Sequence, residues 1–219
     1  MSESLLDEHY RVERWKGVNA SNARAMSCYL SLKVPDNAHL GWKRFASLRR
    51  DAGGNIILAD WFGGGLNVKH VARHPMVAAC LKPSGHVAPD ALCKCGIWTF
   101  DQCEPVFNFW GCGHVRLVVG RVAQWGRVFE AERALRSEFA YPVTIYTDYQ
   151  READLAVEFC GDVRPLSPLL NEHGRGWCVR CTRVKRLSRL HRDPEECKDD
   201  FLGEPLICET CVRAWRVAL

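Results

Sequence analysis

The chain has 219 residues, 47% of them apolar, and a formal net charge of +4. This length allows one or two domains, and the apolar share supports a buried core, which excludes a wholly disordered chain. The excess of 30 basic over 26 acidic residues is too small to indicate nucleic-acid binding unless the charge is concentrated locally.

The first residues, MSESLLDEHYRVERWKG, are charged throughout and lack the apolar stretch of a secretory signal. No run of about 18 apolar residues occurs anywhere, so we expect no membrane-spanning helix. We therefore expect a cytoplasmic protein whose thiols stay reduced. In that compartment, the 12 cysteines are better explained as metal ligands and buried thiols than as disulfides.

In chain order, residues 20–35 predict a short helix that runs into a strand ending at Pro35. Two segments rich in aromatic and β-branched residues then flank Ala52, Gly53 and Gly54. This pattern predicts a β-hairpin, because glycine supplies the positive φ of a tight turn. Residues 70–96 contain several prolines and glycines and are predicted to be mostly loop.

Residues 114–148 return to a composition typical of strands. The middle of this stretch, FEAERALRSEF, would also suit a helix, but we favour a strand. Tyr141-Pro142 is predicted to end that strand, since proline cannot donate to the ladder. Residues 149–160 predict a short helix or strand.

Composition also predicts the domain organisation. The segment GDVRPLSPLLNEHGRG has two prolines and three glycines, so we interpret residues 161–174 as a linker. A strand-rich domain precedes it at 1–160, with a candidate Cys/His metal loop at 80–95. A zinc finger follows at 175–219. The sequence thus predicts an α+β protein, in which a strand-rich N-terminal domain precedes a small C-terminal zinc finger.

Two Cys-x-x-Cys pairs lie near the end of the chain, in GWCVRC and LICETC. A structural zinc site takes four ligands in a tetrahedron, and a two-residue gap lets both sulfurs of a pair reach one ion. The spacing predicts zinc, because buried thiols rarely keep it by chance. The predicted ligands are Cys178, Cys181, Cys208 and Cys211, with Cys197 and His191 as alternatives. Residues 176–219 resemble a treble-clef or zinc-ribbon finger, whose second knuckle opens a closing helix.

A second group of zinc-type ligands lies in AACLKPSGHVAPDALCKCGIW, which its prolines and glycines keep irregular. The candidate ligands are Cys80, His86, Cys93 and Cys95. Cys112 and His114 could replace members of this set, and Cys103 is a weaker candidate. In the alternative interpretation, Cys80 is a core thiol and His86 a loop histidine, and only the Cys93/Cys95 pair has a role. A cysteine nucleophile beside a histidine is a further alternative, but the spacing singles out no such pair.

The segments HVAPDALCKCGIW, VVGRVAQWGRVFEAE and LRSEFAYPVTIY resemble a pattern in uncharacterised proteins of actinobacteria and their phages. The matching positions are His86, Pro89, Cys93, Cys95, Gly96, Ile97, Trp98, Val119, Gly120, Val122, Trp125, Gly126, Arg136, Glu138, Ala140, Tyr141 and Pro142. The resemblance covers roughly residues 38–146. It implies a compact, strand-rich domain and an actinobacterial or phage source, and it implies no activity. Thr99 stands where the pattern has a small residue, and the finger is an addition to it.

Charge is segregated within the predicted finger. Seven basic residues and no acidic residue lie at positions 175–192, and an acidic run follows at 193–200. The basic run suits phosphates, although a solvated hairpin that balances the acidic run is an equal alternative. The candidate nucleic-acid-binding residues are Arg180, Arg183, Lys185, Arg186 and Arg189.

The chain shows no phosphate loop, dinucleotide fingerprint, nucleophile elbow or paired-carboxylate motif, which lowers the expectation of an enzyme. We therefore expect a zinc-stabilised, non-enzymatic protein that engages nucleic acid or a nucleic-acid-bound machine. One alternative is a protein–protein adaptor or host-takeover factor that uses the finger as its interface. The other is a metal- or thiol-dependent enzyme that acts at the Cys93/Cys95 loop.

Overall fold

The computed structural model describes residues 34–60, 69–72, 74–78, 80, 86–107, 117–160, 162–181, 183–192 and 206–218. The fold is α+β, as predicted: two β-sheets carry most of the regular structure, and the small C-terminal sheet holds a cysteine cluster. The helix and strand predicted at residues 20–35 fall almost entirely outside the described residues. No helix in the described ranges is long and apolar enough to span a membrane.

The described strands are β1 (His39–Arg50), β2 (Ile56–Asp60), β3 (Lys69–Val71), β4 (Met76–Val77), β5 (Ile97–Phe100), β6 (Val118–Ala131), β7 (Ala134–Tyr146), β8 (Val163–Arg164), β9 (Arg175–Cys178), β10 (Arg183–Arg186), β11 (Leu190–Arg192) and β12 (Leu206–Cys208). The described helices are α1 (Glu104–Phe107), α2 (Gln150–Cys160), α3 (Leu166–Glu172) and α4 (Glu209–Ala218). A 3-10 helix (Leu187–Arg189) lies between β10 and β11.

Four strands of the larger sheet pair in a closed circuit, here called the barrel. Strand β1 pairs antiparallel with β6, β6 with β7 and β7 with β5, and β5 returns to β1 where Trp42 lies opposite Phe100. Strands β2 and β3 extend the sheet from β1, while β4 and β8 pair with β7. The long strands β6 and β7 bend because their pairing is interrupted after Arg121 and after Trp125.

The barrel and helix α2 share one apolar core. The buried face of α2 includes Ala153, Ala156 and Cys160, which recur at helical spacing. The Tyr141 hydroxyl donates to the carbonyl oxygen of Phe159 at 2.5 Å, which ties β7 to the end of α2. The strands contribute buried apolar residues that include Phe45, Leu58, Val118, Val122 and Ile145.

A buried polar network links three strands of the barrel. The Gln124 side chain donates through Nε2 to the Ile97 carbonyl oxygen at 2.9 Å and to the Ser137 hydroxyl at 2.8 Å. Its Oε1 accepts a hydrogen bond from the Thr99 hydroxyl at 2.5 Å. A Cβ atom on Gly41 would come within 2.0 Å of that hydroxyl, so only glycine fits beside the network on β1. The hydrogen bonds among these polar groups offset the free-energy cost of burying them.

The smaller sheet forms the C-terminal module and runs in the order β10-β9-β12-β11. Strands β9 and β10 form an antiparallel hairpin, and β11 pairs antiparallel with β12. Trp177 on β9 packs with Phe107 and Leu170 in a second apolar cluster. Its indole N–H donates to the Tyr149 hydroxyl at 3.1 Å. The C-terminal module is therefore docked against the barrel through a shared apolar cluster.

The segment predicted as a linker contains regular structure, namely β8, which pairs in parallel with the end of β7, and helix α3. Asp148 accepts hydrogen bonds from the backbone N–H groups of Leu166 and Ser167 at 2.9 and 3.0 Å. These bonds satisfy the first turn of α3 from outside the helix. Leu166 and Leu170 are buried, so α3 belongs to the core. The division of the chain into domains stays a prediction.

Other predicted elements are found in the structure, with one exception. The β1–β2 hairpin turns over residues 51–55, and residues 129–139 form strands joined at residues 132–133, so both strand predictions are confirmed. Residues 149–160 are mainly helix. The predicted strand end at Pro142 is wrong, because β7 continues to Tyr146. Proline is tolerated there since it adjoins the bulge after Arg121, where the ladder is interrupted.

Candidate metal centres

The four C-terminal cysteines come together beside the smaller sheet. The Cys178 and Cys211 sulfurs lie 3.8 Å apart, as do the Cys181 and Cys208 sulfurs. The four sulfurs all lie within 4.8 Å of one another, so this cluster could hold a metal ion. Cys178 and Cys208 are buried, and the other two are half-buried. The structure thus brings together the ligands that the Cys-x-x-Cys spacing predicts.

Pairing of β9 with β12 places the two Cys-x-x-Cys segments side by side. The strands run parallel with Leu206 opposite Cys178, and each strand ends at a cysteine. Helix α4 begins at Glu209, directly after Cys208, and places Cys211 in its first turn. The backbone N–H of Cys208 donates to the Cys178 sulfur at 3.3 Å, which joins the two Cys-x-x-Cys segments directly.

Four thiols this close cannot all ionise without a cation. Burial and the neighbouring thiol of Cys178 raise the pKa of Cys181 to about 11. Burial and neighbouring thiols also raise the pKa of Cys211. At Cys208 the effect of burial is outweighed by hydrogen bonds from Cys211 and the other thiols, so its pKa is lowered. A bound divalent cation would favour ionisation of the remaining thiols by its own charge.

The loop before β5 gathers the second predicted set. The Cys80 and Cys93 sulfurs lie 3.8 Å apart, and His86 Nε2 lies 3.2 Å from the Cys95 sulfur. Ligand atoms from all four residues lie within 4.8 Å of one another, so this cluster, too, could hold a metal ion. Burial is the largest cause of the raised pKa of Cys95, and its thiol neighbours add to it.

Arg136 on β7 supports the backbone of this loop. Its Nη1 donates to the carbonyl oxygens of Asp90 at 3.2 Å and Cys95 at 3.1 Å, and also to that of Cys93. The guanidinium lies over the Trp98 ring, with Cζ 5.3 Å from the centroid. The sequence marks Arg136 as a position of the pattern that the chain resembles. Its role could not be predicted, because it contacts loop carbonyls that any residue type provides.

The alternative ligands lie elsewhere in the chain. His191 is exposed on β11 and belongs to no cluster of ligand atoms within the described residues. Cys103 lies apart from the loop cluster and forms a third group with Glu104 and His173. All nine described cysteines are free thiols. Outside the described residues lie Cys112, His114, Cys197 and the acidic run at 193–200.

The basic residues of the C-terminal module follow the β9–β10 hairpin and the 3-10 helix. Val184 lies opposite Trp177 and packs toward the barrel, so its neighbours Arg183 and Lys185 point to the other side of the strand. We define the basic surface as Arg180, Arg183, Lys185, Arg186 and Arg189. Four of these five side chains are exposed, and that of Lys185 is half-buried. Within the described ranges, its last four members take part in no ion pair.

Comparisons of the chain with protein-family models, with curated proteins and with solved structures find no match. The resemblance to actinobacterial and phage proteins therefore stays a prediction. Inferences about function therefore depend on two four-residue clusters of ligand atoms and on the basic surface beside one of them.

Proposed function

We propose that both four-residue clusters hold zinc. A tetrahedron with Zn–S bonds of about 2.3 Å has edges of about 3.8 Å. Sulfur pairs in both clusters lie at that separation, 3.8 Å. It is too long for a disulfide, whose sulfurs are about 2.05 Å apart. Sets of four thiol and imidazole donors also favour zinc over harder cations such as magnesium or calcium.

Both proposed zinc sites are closed, because four protein ligands leave no coordination position for a substrate. Such closure is typical of zinc that stabilises a fold. In the loop cluster, Cys93 is buried and Arg136 fixes the backbone around it. These features favour a binding protein over a metal- or thiol-dependent enzyme at the Cys93/Cys95 loop. The zinc ions then serve to hold the loop and the C-terminal module in shape.

We further propose that the basic surface binds the phosphate backbone of nucleic acid, alone or within a nucleoprotein complex. The observation that carries this is the grouping of Arg183, Lys185, Arg186 and Arg189 on one hairpin and its following turn, with no ion pair to any of them in the described ranges. Like charges held together repel one another, and a polyanion relieves that repulsion. Phosphate contacts also release condensed counterions, which favours binding.

The β9–β10 hairpin that carries these residues is anchored through two neighbouring residues of β9. Strand β9 ends at Cys178, a proposed zinc ligand, and the preceding Trp177 is buried against the barrel. Arg183 and Lys185 therefore project from a strand whose partner is fixed. A surface held in place before binding loses less conformational entropy when a ligand arrives.

Fluorescence anisotropy with labelled duplex DNA and labelled RNA, across a salt series, tests the proposal. We expect the logarithm of affinity to fall linearly with the logarithm of salt concentration, by about 0.9 per phosphate contact on a duplex. A variant in which the four residues are replaced by glutamine should show a slope flatter by about 3.6 units. The replaced residues are Arg183, Lys185, Arg186 and Arg189.

Two control variants separate charge from shape. Replacing Arg183, Arg186 and Arg189 by lysine keeps the positive charge and should keep the salt slope, since counterion release needs charge alone. The second control removes a similar number of charges from the barrel side of the molecule and should leave the slope nearly unchanged. It replaces three exposed arginines by glutamine, Arg49, Arg133 and Arg151. If the salt slope flattens equally in this control and in the glutamine variant of the basic surface, a defined binding site at the basic surface is contradicted.

The absence of binding to either polymer at low salt would contradict the proposal and favour a protein adaptor. One observation fits that alternative, because Leu187 is 38% exposed in the middle of the basic surface. An exposed apolar side chain among cations suits an acidic protein partner with an apolar contact. The glutamine variant would then lose that partner, and Leu187→Ala would weaken the same interaction without changing a charge.

A further inference from the structure

A third group of ligand atoms lies where helix α1 meets the turn after α3. Cys103 directly precedes α1, Glu104 begins it, and His173 follows α3. His173 Nε2 lies 3.0 Å from the Cys103 sulfur, and its Nδ1 lies 3.0 Å from Glu104 Oε1. Glu104 Oε2 lies 3.8 Å from the same sulfur. One ligand atom from each residue lies within 4.8 Å of the others.

These distances suit a tetrahedral ion. Bonds of about 2.3 Å to sulfur and about 2.1 Å to nitrogen or oxygen give an edge of about 3.6 Å between sulfur and either atom. The two distances at the Cys103 sulfur, 3.0 Å to the imidazole and 3.8 Å to the carboxylate, lie on either side of that value.

The group is closed on one side and open on the other. Cys103 is 5% exposed and packs in the apolar cluster with Val106 and Phe107. The side chains of His173 and Glu104 are 28% and 46% exposed. An ion among them would therefore meet apolar packing on the thiol side and solvent on the carboxylate side.

Electrostatics argues against a nucleophilic thiol here. Burial raises the pKa of Cys103 to about 11, and the negative charge of Glu104 adds to the effect. A raised pKa lowers the thiolate fraction, and the thiolate is the nucleophilic form of cysteine. A divalent cation would reverse this, because its charge stabilises a thiolate and a carboxylate together.

We propose that Cys103, Glu104 and His173 form a third metal site, which binds zinc through a thiolate, a carboxylate oxygen and an imidazole nitrogen. Three protein ligands leave one coordination position free for water or an anionic ligand, unlike the two closed clusters. The ion would also connect α1 to the residue that follows α3, and so hold the barrel against the segment that leads into the C-terminal module. This site is independent of the proposed nucleic-acid binding.

Native mass spectrometry of the full chain, loaded with excess zinc chloride and then exchanged into volatile buffer, tests the site. We expect one ion for each of the three clusters, hence three per chain. The His173→Ala variant should hold two. Glu104→Gln should lower the affinity for the third ion by roughly 10-fold or more, because loss of a group at a metal site commonly lowers metal affinity by that factor. Two ions in the wild type at saturating zinc would overturn the proposal.

Cys103 is buried, so its replacement alone would confuse loss of metal with loss of folding. Loading with cobalt chloride avoids this, because a thiolate bound to cobalt absorbs in the near ultraviolet. Titration of the wild type should show a third thiolate–cobalt step that is absent in His173→Ala, with far-ultraviolet circular dichroism unchanged. If that step persists in His173→Ala, the third ion lies elsewhere and the proposal is wrong.

His191→Ala is the matched control, since it removes an exposed histidine of the C-terminal module and should still hold three ions. The glutamine variant of the basic surface should also hold three, which separates this test from that of nucleic-acid binding. Rapid alkylation of Cys103 at neutral pH in saturating zinc would overturn the proposal in favour of a reactive thiol–imidazole pair.

Discussion

Arg136 on β7 donates a hydrogen bond to the carbonyl oxygen of Cys95, at 3.1 Å, and so holds the backbone beside a proposed zinc ligand. The same guanidinium nitrogen contacts the carbonyl oxygen of Cys93. A strand of the barrel thereby shapes the loop that carries Cys80, His86, Cys93 and Cys95. Loss of groups that position metal ligands commonly lowers metal affinity by about 10- to 100-fold.

The Arg136→Lys variant should lower the zinc affinity of the loop cluster by roughly 10- to 100-fold. Lysine keeps the charge but lacks the planar group that lies over Trp98 and places Nη1 among the carbonyl oxygens. Competition with a chromophoric chelator measures the affinity. Arg133→Lys, in the turn of the same hairpin, is the control and should change neither cluster. Equal affinity in Arg136→Lys and wild type would show that the loop is ordered without these bonds.

The Gln124→Leu variant should destabilise the barrel strongly, although leucine and glutamine have similar volumes. It leaves the Ile97 carbonyl and the Thr99 and Ser137 side chains without their partner, at about 1–3 kcal/mol for each group left buried and unpaired. Urea denaturation measures the free energy of unfolding. Adding Thr99→Val and Ser137→Ala should recover part of the loss, because removing both partners costs less than removing one. A triple variant no more stable than Gln124→Leu would count against this account.

Local sequence signals predicted the parts of the molecule that depend on nearby residues. The two-residue gaps in GWCVRC and LICETC are enough to predict a cluster, because each pair forms its own knuckle. The composition of residues 114–148 likewise predicts strands without knowledge of their neighbours in the sheet. The closed circuit of the barrel was not predictable in this way, since it depends on Trp42 meeting Phe100 across 58 positions.

Helix α3 and the third ligand group were missed for physical reasons. The prolines at 165 and 168 indicate a linker, yet both fall at the start of α3, where a missing N–H breaks no helical bond. The cap of that helix comes from Asp148, far from it in sequence. His173 likewise reaches Cys103 across 70 positions, so no spacing rule could pair them.

Gly126→Ala should cost more stability than Gly54→Ala, although both glycines have nearly the same φ, +79° and +80°. At Gly54 a Cβ atom meets nothing within 4 Å, so only the left-handed backbone is penalised, by about 1–2 kcal/mol. At Gly126 it would lie 2.7 Å from the Phe139 ring, which adds about 1–3 kcal/mol of overpacking. Urea denaturation compares the two directly. Equal losses would mean that the bulge at Gly126 relaxes to make room.

Cys178→Ser should unfold the smaller sheet and leave the barrel folded. The sheet has little buried core of its own, Cys178, Ile207 and Cys208, and metal binding supplies on the order of 10 kcal/mol to such modules. Hydrogen-exchange mass spectrometry should therefore show lost protection in β9, β10, β11 and β12. Protection in β6 and β7 should persist, since they pair with each other over most of their length.

Cys160→Ser gives the matched control for that result. Cys160 is a buried thiol at the end of α2 that belongs to no cluster of ligand atoms in the described ranges, and it contacts the Asp162 carbonyl oxygen at 3.3 Å. Its replacement puts a more polar hydroxyl among apolar neighbours, so the exchange rate should rise in α2 and β7 while the zinc content stays the same. If Cys178→Ser instead loses one zinc ion but keeps protection in β9 and β12, the smaller sheet is held by its docking through Trp177 and not by the metal.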